Sequence, residues 1–185
     1  MNLLLRFLRV VLHGFFRSKI GIFDDSEVHF HVWPNDLDLN MHMTNSRYLS
    51  VTDLARIDRI VRQGIFTHLV KRKLATVLGA SYIRFRQSLN MFQRYTIKTR
   101  LIGIDEKWFY IEHRFTSKGK LIAFSIVKGL FIENGKSIPT LEAIKHFYPD
   151  HEMPKKLPKL PKYVAQWIEM EDTVRYTINK EYKND

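Results

Sequence analysis

Between Ser46 and about Arg62 the chain reads as a helix with apolar residues at Leu49, Val51, Leu54, Ala55, Ile57, Ile60 and Val61. Those positions take up most of the helix circumference. Such a helix must be covered on several sides and cannot simply lie on a surface. The segments that follow can supply the cover. Leu74–Gln87, Arg94–Ile102, Lys107–Phe115 and Lys120–Ile132 read as strands. Phe109, Ile111, His113 and Phe115 alternate with Trp108, Tyr110, Glu112 and Arg114, and the last run is almost unbroken in its hydrophobicity. Short turns at 104–106, 117–119 and 133–136 call for antiparallel pairing. Gly79 inside the first run predicts a bulge or a close backbone approach. Upstream, residues 27–33 alternate and form a further strand, closed by Pro34 and Asn35. The order is therefore strand, buried helix, four strands. The expected class is α+β, an antiparallel sheet of about five strands around one long central helix. The 185 residues suffice for one such domain.

The link between first strand and helix is unusually polar. Asp36-Leu37-Asp38-Leu39-Asn40-Met41-His42-Met43-Thr44-Asn45-Ser46-Arg47-Tyr48 places two acids, two amides and a histidine between Asp36 and Asn45. Asp38 is the first candidate for a reactive carboxylate, because the helix N-terminus beside it favours negative charge. The competing reading is that Asp36 and Asp38 make Asx-turns. His42 could orient water or donate to a carbonyl, or could satisfy loop backbone. Asn40 and Asn45 could position Asp38 or a substrate. Asn45 or Ser46 is equally suited to cap the helix. Asp53, on the helix, is the second candidate acid; its alternatives are an ion pair with Arg56 or Arg47, or a buried structural pair.

Several chemistries lack their residues. With no cysteine there is no disulfide framework, no thiolate zinc site and no thiol nucleophile. No Gly-x-Ser-x-Gly, P-loop or dinucleotide fingerprint is present. His29 and His31 share a strand face without a third ligand, so no metal site is expected.

Residues 36–48 resemble the signature of the 4-hydroxybenzoyl-CoA thioesterase-like, hot-dog-fold enzymes. The acyl-ACP thioesterase branch carries Asp-x-Asp-x-Asn-x-His-x-Asn-Asn-x-x-Tyr, and Thr44 departs from it at the first Asn of the pair. The segment is most similar to the thioesterase superfamily member six-like group, which carries Asp-Leu-Asp-Leu-x-x-His-Met-x-Asn-x-Arg-Tyr-Leu. The resemblance implies a hot-dog fold over roughly 27–135 and an acyl-thioester hydrolase, an acyl-CoA thioesterase, with a place in fatty acid metabolism. It puts Asp38 on the functional carboxylate, attacking the thioester or activating water, and matches Asn40, His42 and Asn45 to the motif's amides and histidine. Some hot-dog enzymes carry their acid on the helix, where Asp53 lies. CoA would enter as part of the substrate, with no resident cofactor and with acyl-carrier protein as the alternative donor. Arg84 and Arg86, alternate residues of one strand, would contact CoA phosphates. The family's habit also implies a homodimer or homotetramer.

The net charge of +11 favours anionic partners: cofactor phosphates, anionic lipid or nucleic acid. No helix-turn-helix, zinc or ribonucleoprotein motif accompanies it, so nucleic acid is not expected. Residues 1–20 carry Arg6, Arg9, Arg17 and Lys19 and no acid. They are too interrupted to span a bilayer and lack a signal-peptide core. Two readings fit: a basic amphipathic helix on a membrane surface, or a helix packed on protein with its arginines snorkelling outward. The chain divides into this segment, a hot-dog domain at 21–150 and a Pro/Lys-rich extension at 151–185. Within the extension, Met153–Lys162 is extended and basic, Tyr163–Glu171 forms a short helix, and Asn179–Asp185 frays. The expected location is cytoplasmic, with peripheral attachment to anionic membrane through residues 1–20. The main functional alternative is a non-catalytic acyl or lipid carrier at that surface.

Overall fold

The computed structural model describes residues 3–147 and 159–182. Its elements run α1 (Leu3–Phe16), β1 (Ser26–His31), α2 (Asn45–Arg62), α3 (Phe66–Arg72), β2 (Leu74–Phe85), β3 (Arg94–Ile104), β4 (Phe109–Ser117), β5 (Lys120–Glu133), β6 (Lys136–Ile138), α4 (Thr140–Phe147) and α5 (Lys162–Glu181). A turn of 3-10 helix, Pro34–Asp36, lies between β1 and α2. The strands form one antiparallel sheet in the order β1-β3-β4-β5-β2, with β6 paired to β5. The α+β class is as expected. The consecutive strands β2 and β3 are not neighbours: β2 pairs β5 and β3 lies between β1 and β4. Residues 86–93 therefore carry the chain across one end of the sheet, and that crossing passes the candidate site.

The strand alternation resolves into two faces. Phe115 of β4 meets Phe30, Tyr95 and Ile97 in a core completed by Tyr48, Val51, Leu54 and Ala55 of α2. Phe109, Ile111 and Phe131 continue this inner face toward the other end of α2, where Ile65, Ile144 and Phe147 close it. Each fully buried aliphatic side chain there contributes about 1.5–3 kcal/mol. On the outer face Tyr110, Ile102 and Ile126 pack under Val164 and Trp167 of α5. Glu112 points the same way and is buried with Arg100 Nε at 2.8 Å, Arg114 Nε at 2.7 Å and the Tyr163 hydroxyl at 2.8 Å. Burial would raise its pKa, but these three donors together hold the carboxylate below its usual range.

Gly79 meets the expectation of a bulge, and what approaches it closely is a side chain and not a backbone. The β2–β5 register shifts between Leu78 and Ala80, and the Trp108 ring lies where a Cβ would be, 2.6 Å from its Cζ3. The C-terminal helix differs from expectation: it is no short helix ending at Glu171 but continues to Glu181, through residues assigned to a frayed end. Most of the Pro/Lys segment, and the last three residues, lie outside the described residues.

The wide apolar circumference of α2 is explained by α1. One face of α2 meets the sheet and another meets α1, where Val10 joins the core and Gly14 sits on Val61; a Cβ at Gly14 would lie 2.9 Å from Val61 Cγ1. α1 thus packs on its own domain, but not in the way anticipated. Arg6 points inward and is completely buried, while Leu4, Leu5, Leu8, Leu12, Phe15 and Phe16 point out. Arg17 bonds the Glu27 carbonyl at 2.7 Å and Asp58 at 3.1 Å. Leu3, Phe7 and Val10 pack inward, but so does Arg6, while four leucines and Arg9 stay exposed. No helix among the described residues is long and apolar enough to cross a membrane.

Candidate active site

Residues 36–44 form a small hairpin. Thr44 N–H donates to the Asp36 carbonyl and Asp38 N–H to the His42 carbonyl, both at 2.8 Å, with Leu37 paired to Met43 between them. Met41 N–H closes the tip onto the Asp38 carbonyl at 3.1 Å. That turn forces Met41 to φ 60°, a left-handed conformation uncommon for a residue with a side chain. The hairpin leans on the crossing segment: His42 pairs with Asn90, and Met43 N–H bonds the Leu89 carbonyl at 2.9 Å.

Position along this hairpin separates the two acids: Asp36 sits at its buried base and Asp38 beside its tip. Asp36 is fully buried. Its Oδ2 takes the Trp33 N–H at 2.9 Å and pairs with Arg6, and Arg47 Nε lies 2.9 Å from Oδ1. Asp38 is exposed, at the tip. Its Oδ1 accepts from Asn40 N–H at 2.9 Å and His42 N–H at 3.2 Å. The Asx-turn expected as the alternative reading is therefore present, but it occupies one oxygen. Oδ2 has no hydrogen-bond partner among the described residues. A carboxylate steadied on one side and open on the other can still act on a substrate.

Asp38, Asn40, His42 and Asn45 line one cleft of about 330 Å³, together with Arg86. Met43, Tyr48 and Phe85 form its apolar wall, and Gln87 and Ser88 of the crossing segment complete it. Thr44, and neither Asn45 nor Ser46, is the N-cap of α2, and its side chain makes no capping bond. Arg47 N–H bonds the Thr44 carbonyl at 2.9 Å, Asn45 opens the helix at the cleft wall, and the positive end of the α2 dipole lies there with it. Tyr48 is buried, its ring against Phe85 and Phe115. Burial pushes its hydroxyl up to about 12, with a Leu89 backbone hydrogen bond opposing, so it stays protonated.

Asp53 is not among the residues lining this cleft. Its side chain is 64% exposed and pairs with Arg56, one of the arrangements expected for it. Arg56 also reaches Thr52 Oγ1 at 3.2 Å and His113 Nε2 at 3.3 Å. A guanidinium can only donate, so Nε2 accepts and the imidazole proton sits on Nδ1, 2.9 Å from Thr99 Oγ1. Burial, then the charges of Arg56 and Arg59, hold His113 well below the usual histidine range.

Arg84 and Arg86 part company. Arg84 lines a groove on the outer face with Tyr82, Tyr163 and Trp167. β2 ends at Phe85, and Arg86 and Gln87 N–H both bond the Ile122 carbonyl, at 2.8 and 3.1 Å. The strand alternation stops there, which is why the second arginine reaches the cleft and the first does not. Among the described residues no group of three metal-ligating side chains occurs. Sequence reasoning passed over Tyr48, Phe85, Gln87 and Ser88. Tyr48 stands in the motif, one helical turn beyond Asn45, and that spacing was the available signal. The other three reach the site only through the crossing of the sheet. At the far end of α2 an apolar cavity of about 80 Å³, walled by Ile60, Ile65, Leu69, Phe109 and Phe131, was likewise not foreseen.

Residues 32–168 match the thioesterase-like superfamily. The chain is 40% identical to the protein THEM6 of Danio rerio over 62% of its own length and 57% of that protein's. It thus spans little more than half of that relative. The probable thioesterase YbaW from Escherichia coli superposes with a TM-score of 0.61 at 20% identity, over 65% of this chain and 94% of that one. The BH1999 gentisyl-coenzyme A thioesterase does so with a TM-score of 0.57 at 22% identity, over 66% and 98%. At such identities the two structures speak for a shared hot-dog fold.

Proposed function

The chain belongs to the thioesterase-like superfamily, and from that premise we propose that it hydrolyses acyl thioesters, acyl-CoA in the first instance, in the cleft under the 36–44 hairpin. The observation that carries this reading is the convergence of Asp38, Asn40, His42 and Asn45 on one opening at the N-terminus of α2. Asp38 takes a proton from water as the water oxygen bonds to the thioester carbonyl carbon, or adds to that carbon itself. The charge developing on the carbonyl oxygen meets Asn45, His42 and the positive end of the α2 dipole. Collapse breaks the carbon–sulfur bond, and the thiolate leaves and takes up a proton as CoA; on the water path the acyl group departs as a carboxylate, and on the direct path a water then cleaves the acyl–Asp38 anhydride to the same carboxylate and restores Asp38. Met43, Tyr48 and Phe85 give the acyl group an apolar wall. Arg86 is the cleft's cation for CoA phosphate. Arg84, on the outer face, is left out of this role.

The reading extends to assembly. β2 is an edge strand with Val77, Leu78, Tyr82 and Phe85 each 40–43% exposed. A long apolar edge invites pairing with another copy, so a homodimer, or a homotetramer built from it, is the functional form. The outward leucine row of α1 with Arg9 and Lys19 suits the surface of an anionic membrane. The test is free-thiol release from a panel of short, long and aromatic acyl-CoAs and acyl-carrier substrates. Turnover of any of them supports the hydrolase. No turnover, with acyl ligands still bound, moves the protein to the carrier reading. Light scattering that gives a monomer at micromolar concentration overturns the assembly.

A further inference from the structure

We infer that Arg6, on the N-terminal helix, is a positioning residue for the active-site hairpin: through Asp36 it holds the turn that presents Asp38. This rests on the hydrolase reading of that cleft. Arg6 and Asp36 are each 0% exposed, in a chain whose other α1 contacts are mostly apolar. A helix that only needed to pack would turn its leucines inward. This one turns four of its five leucines outward and buries an arginine.

The arginine is placed at the base of the hairpin. Its NH2 group pairs with Asp36 Oδ2 and also approaches the His31 carbonyl at 3.3 Å. It therefore ties the end of β1 to the first residue of the hairpin. From Asp36 the connection is one of bonded neighbours. The Asp36 carbonyl accepts Thr44 N–H at 2.8 Å, which fixes the two arms together. Two residues on, Asp38 exchanges its N–H with the His42 carbonyl and receives the Asn40 and His42 N–H groups on Oδ1. Arg47, the other cation on Asp36, lies near Oδ1 but off hydrogen-bond alignment, so it does not replace Arg6. A carboxylate sealed from water without Arg6 would be undercompensated, and the hairpin base would have to open to hydrate it. Opening the base moves the tip, and displacements of about 1 Å at a reacting group are enough to cost two orders of magnitude in rate.

A purely structural staple makes a different prediction, and Arg17 supplies the comparison. It too fastens α1, through Asp58 and the Glu27 carbonyl, but far from the hairpin. The experiment compares full-length wild type, Arg6→Met, Arg6→Lys and Arg17→Met. Hydrogen exchange is followed at residues 36–44, and kcat and KM are measured on whichever acyl-CoA the wild type turns over. Arg6→Met should speed exchange of the Asn40, His42 and Thr44 amides by tenfold or more. It should lower kcat by ~10–100-fold with KM within about threefold, while Arg6→Lys recovers part of both losses. Arg17→Met should leave the hairpin amides and kcat as in wild type. Unchanged hairpin exchange in folded Arg6→Met overturns the inference. So does equal loosening by Arg17→Met. Should Arg6→Met fail to fold, Arg6→Lys decides by the same two readings. If wild type releases no thiol from any substrate, the hydrolase reading falls, and with it the assignment of Arg6 to a reaction. The exchange data then still separate a hairpin clamp from a plain staple.

Discussion

Asp38 and Asp53 are fifteen residues apart and both reach the surface, yet their surroundings ask different things of them. Asp53 leans on Arg56 from an exposed helix face, and Arg56 leans in turn on a buried histidine. Everything near it neutralises its charge. Asp38 has a backbone turn on one oxygen, no partner among the described residues on the other, and a cleft of amides, imidazole and helix N-terminus around it. The carboxylate suited to chemistry is the one whose partners fix its place without quenching its charge. Asp36, two residues before Asp38, marks the opposite limit: fully buried, doubly countered and structural.

The sharpest way to break this comparison is to remove the charge at the tip. Asp38→Asn keeps shape and hydrogen bonding, so steady-state kinetics should show kcat lower by ~10²–10⁴-fold at similar KM. Next in size is the buried acid. Asp36→Ala strands Arg6 and Arg47, and urea unfolding should give a loss of about 3–5 kcal/mol. The exposed pair should give far less: Asp53→Ala should cost at most about 1 kcal/mol in the same titration. An equal loss from both would erase the distinction between a countered buried charge and a surface pair.

The arginines extend the contrast to binding. Arg86→Met should raise KM for acyl-CoA about tenfold, the scale of one lost charge-assisted bond, whereas Arg84→Met should shift it less than twofold. A further effect concerns pH on the Asp53 side. His113 is held neutral in the fold, well below its ordinary pKa, while in the unfolded chain it takes a proton below about pH 6.5. Its contribution is therefore complete above that pH. It is lost as pH falls, by up to about 1.4 kcal/mol per pH unit. His113→Gln should flatten the slope of stability between pH 6.5 and 5.

How far these features could be read in advance follows from their range. Alternation in 109–115 and the turns at 104–106 and 117–119 are local, so β3, β4 and β5 were legible almost to their ends. Gly79 was legible for the same reason. The wide apolar face of α2 announced a cover without naming it, because nothing in Ser46–Arg62 specifies α1 as the neighbour. Four site residues stood in one contiguous motif and arrive in one cleft. That Arg84 and Arg86 line different grooves was not legible, because the end of β2 depends on Ile122, a contact across the sheet. The inward turn of Arg6 depended on a partner thirty residues away and ran against the usual preference for exposed arginine.

The most direct test of the account is a side-by-side assay of free-thiol release by wild type, Asp38→Asn and Asp53→Asn on the same acyl-CoA. The account predicts turnover by wild type, turnover within a few-fold of it by Asp53→Asn, and only background release by folded Asp38→Asn. Full turnover in Asp38→Asn with collapse in Asp53→Asn would contradict it and move the chemistry to the helix.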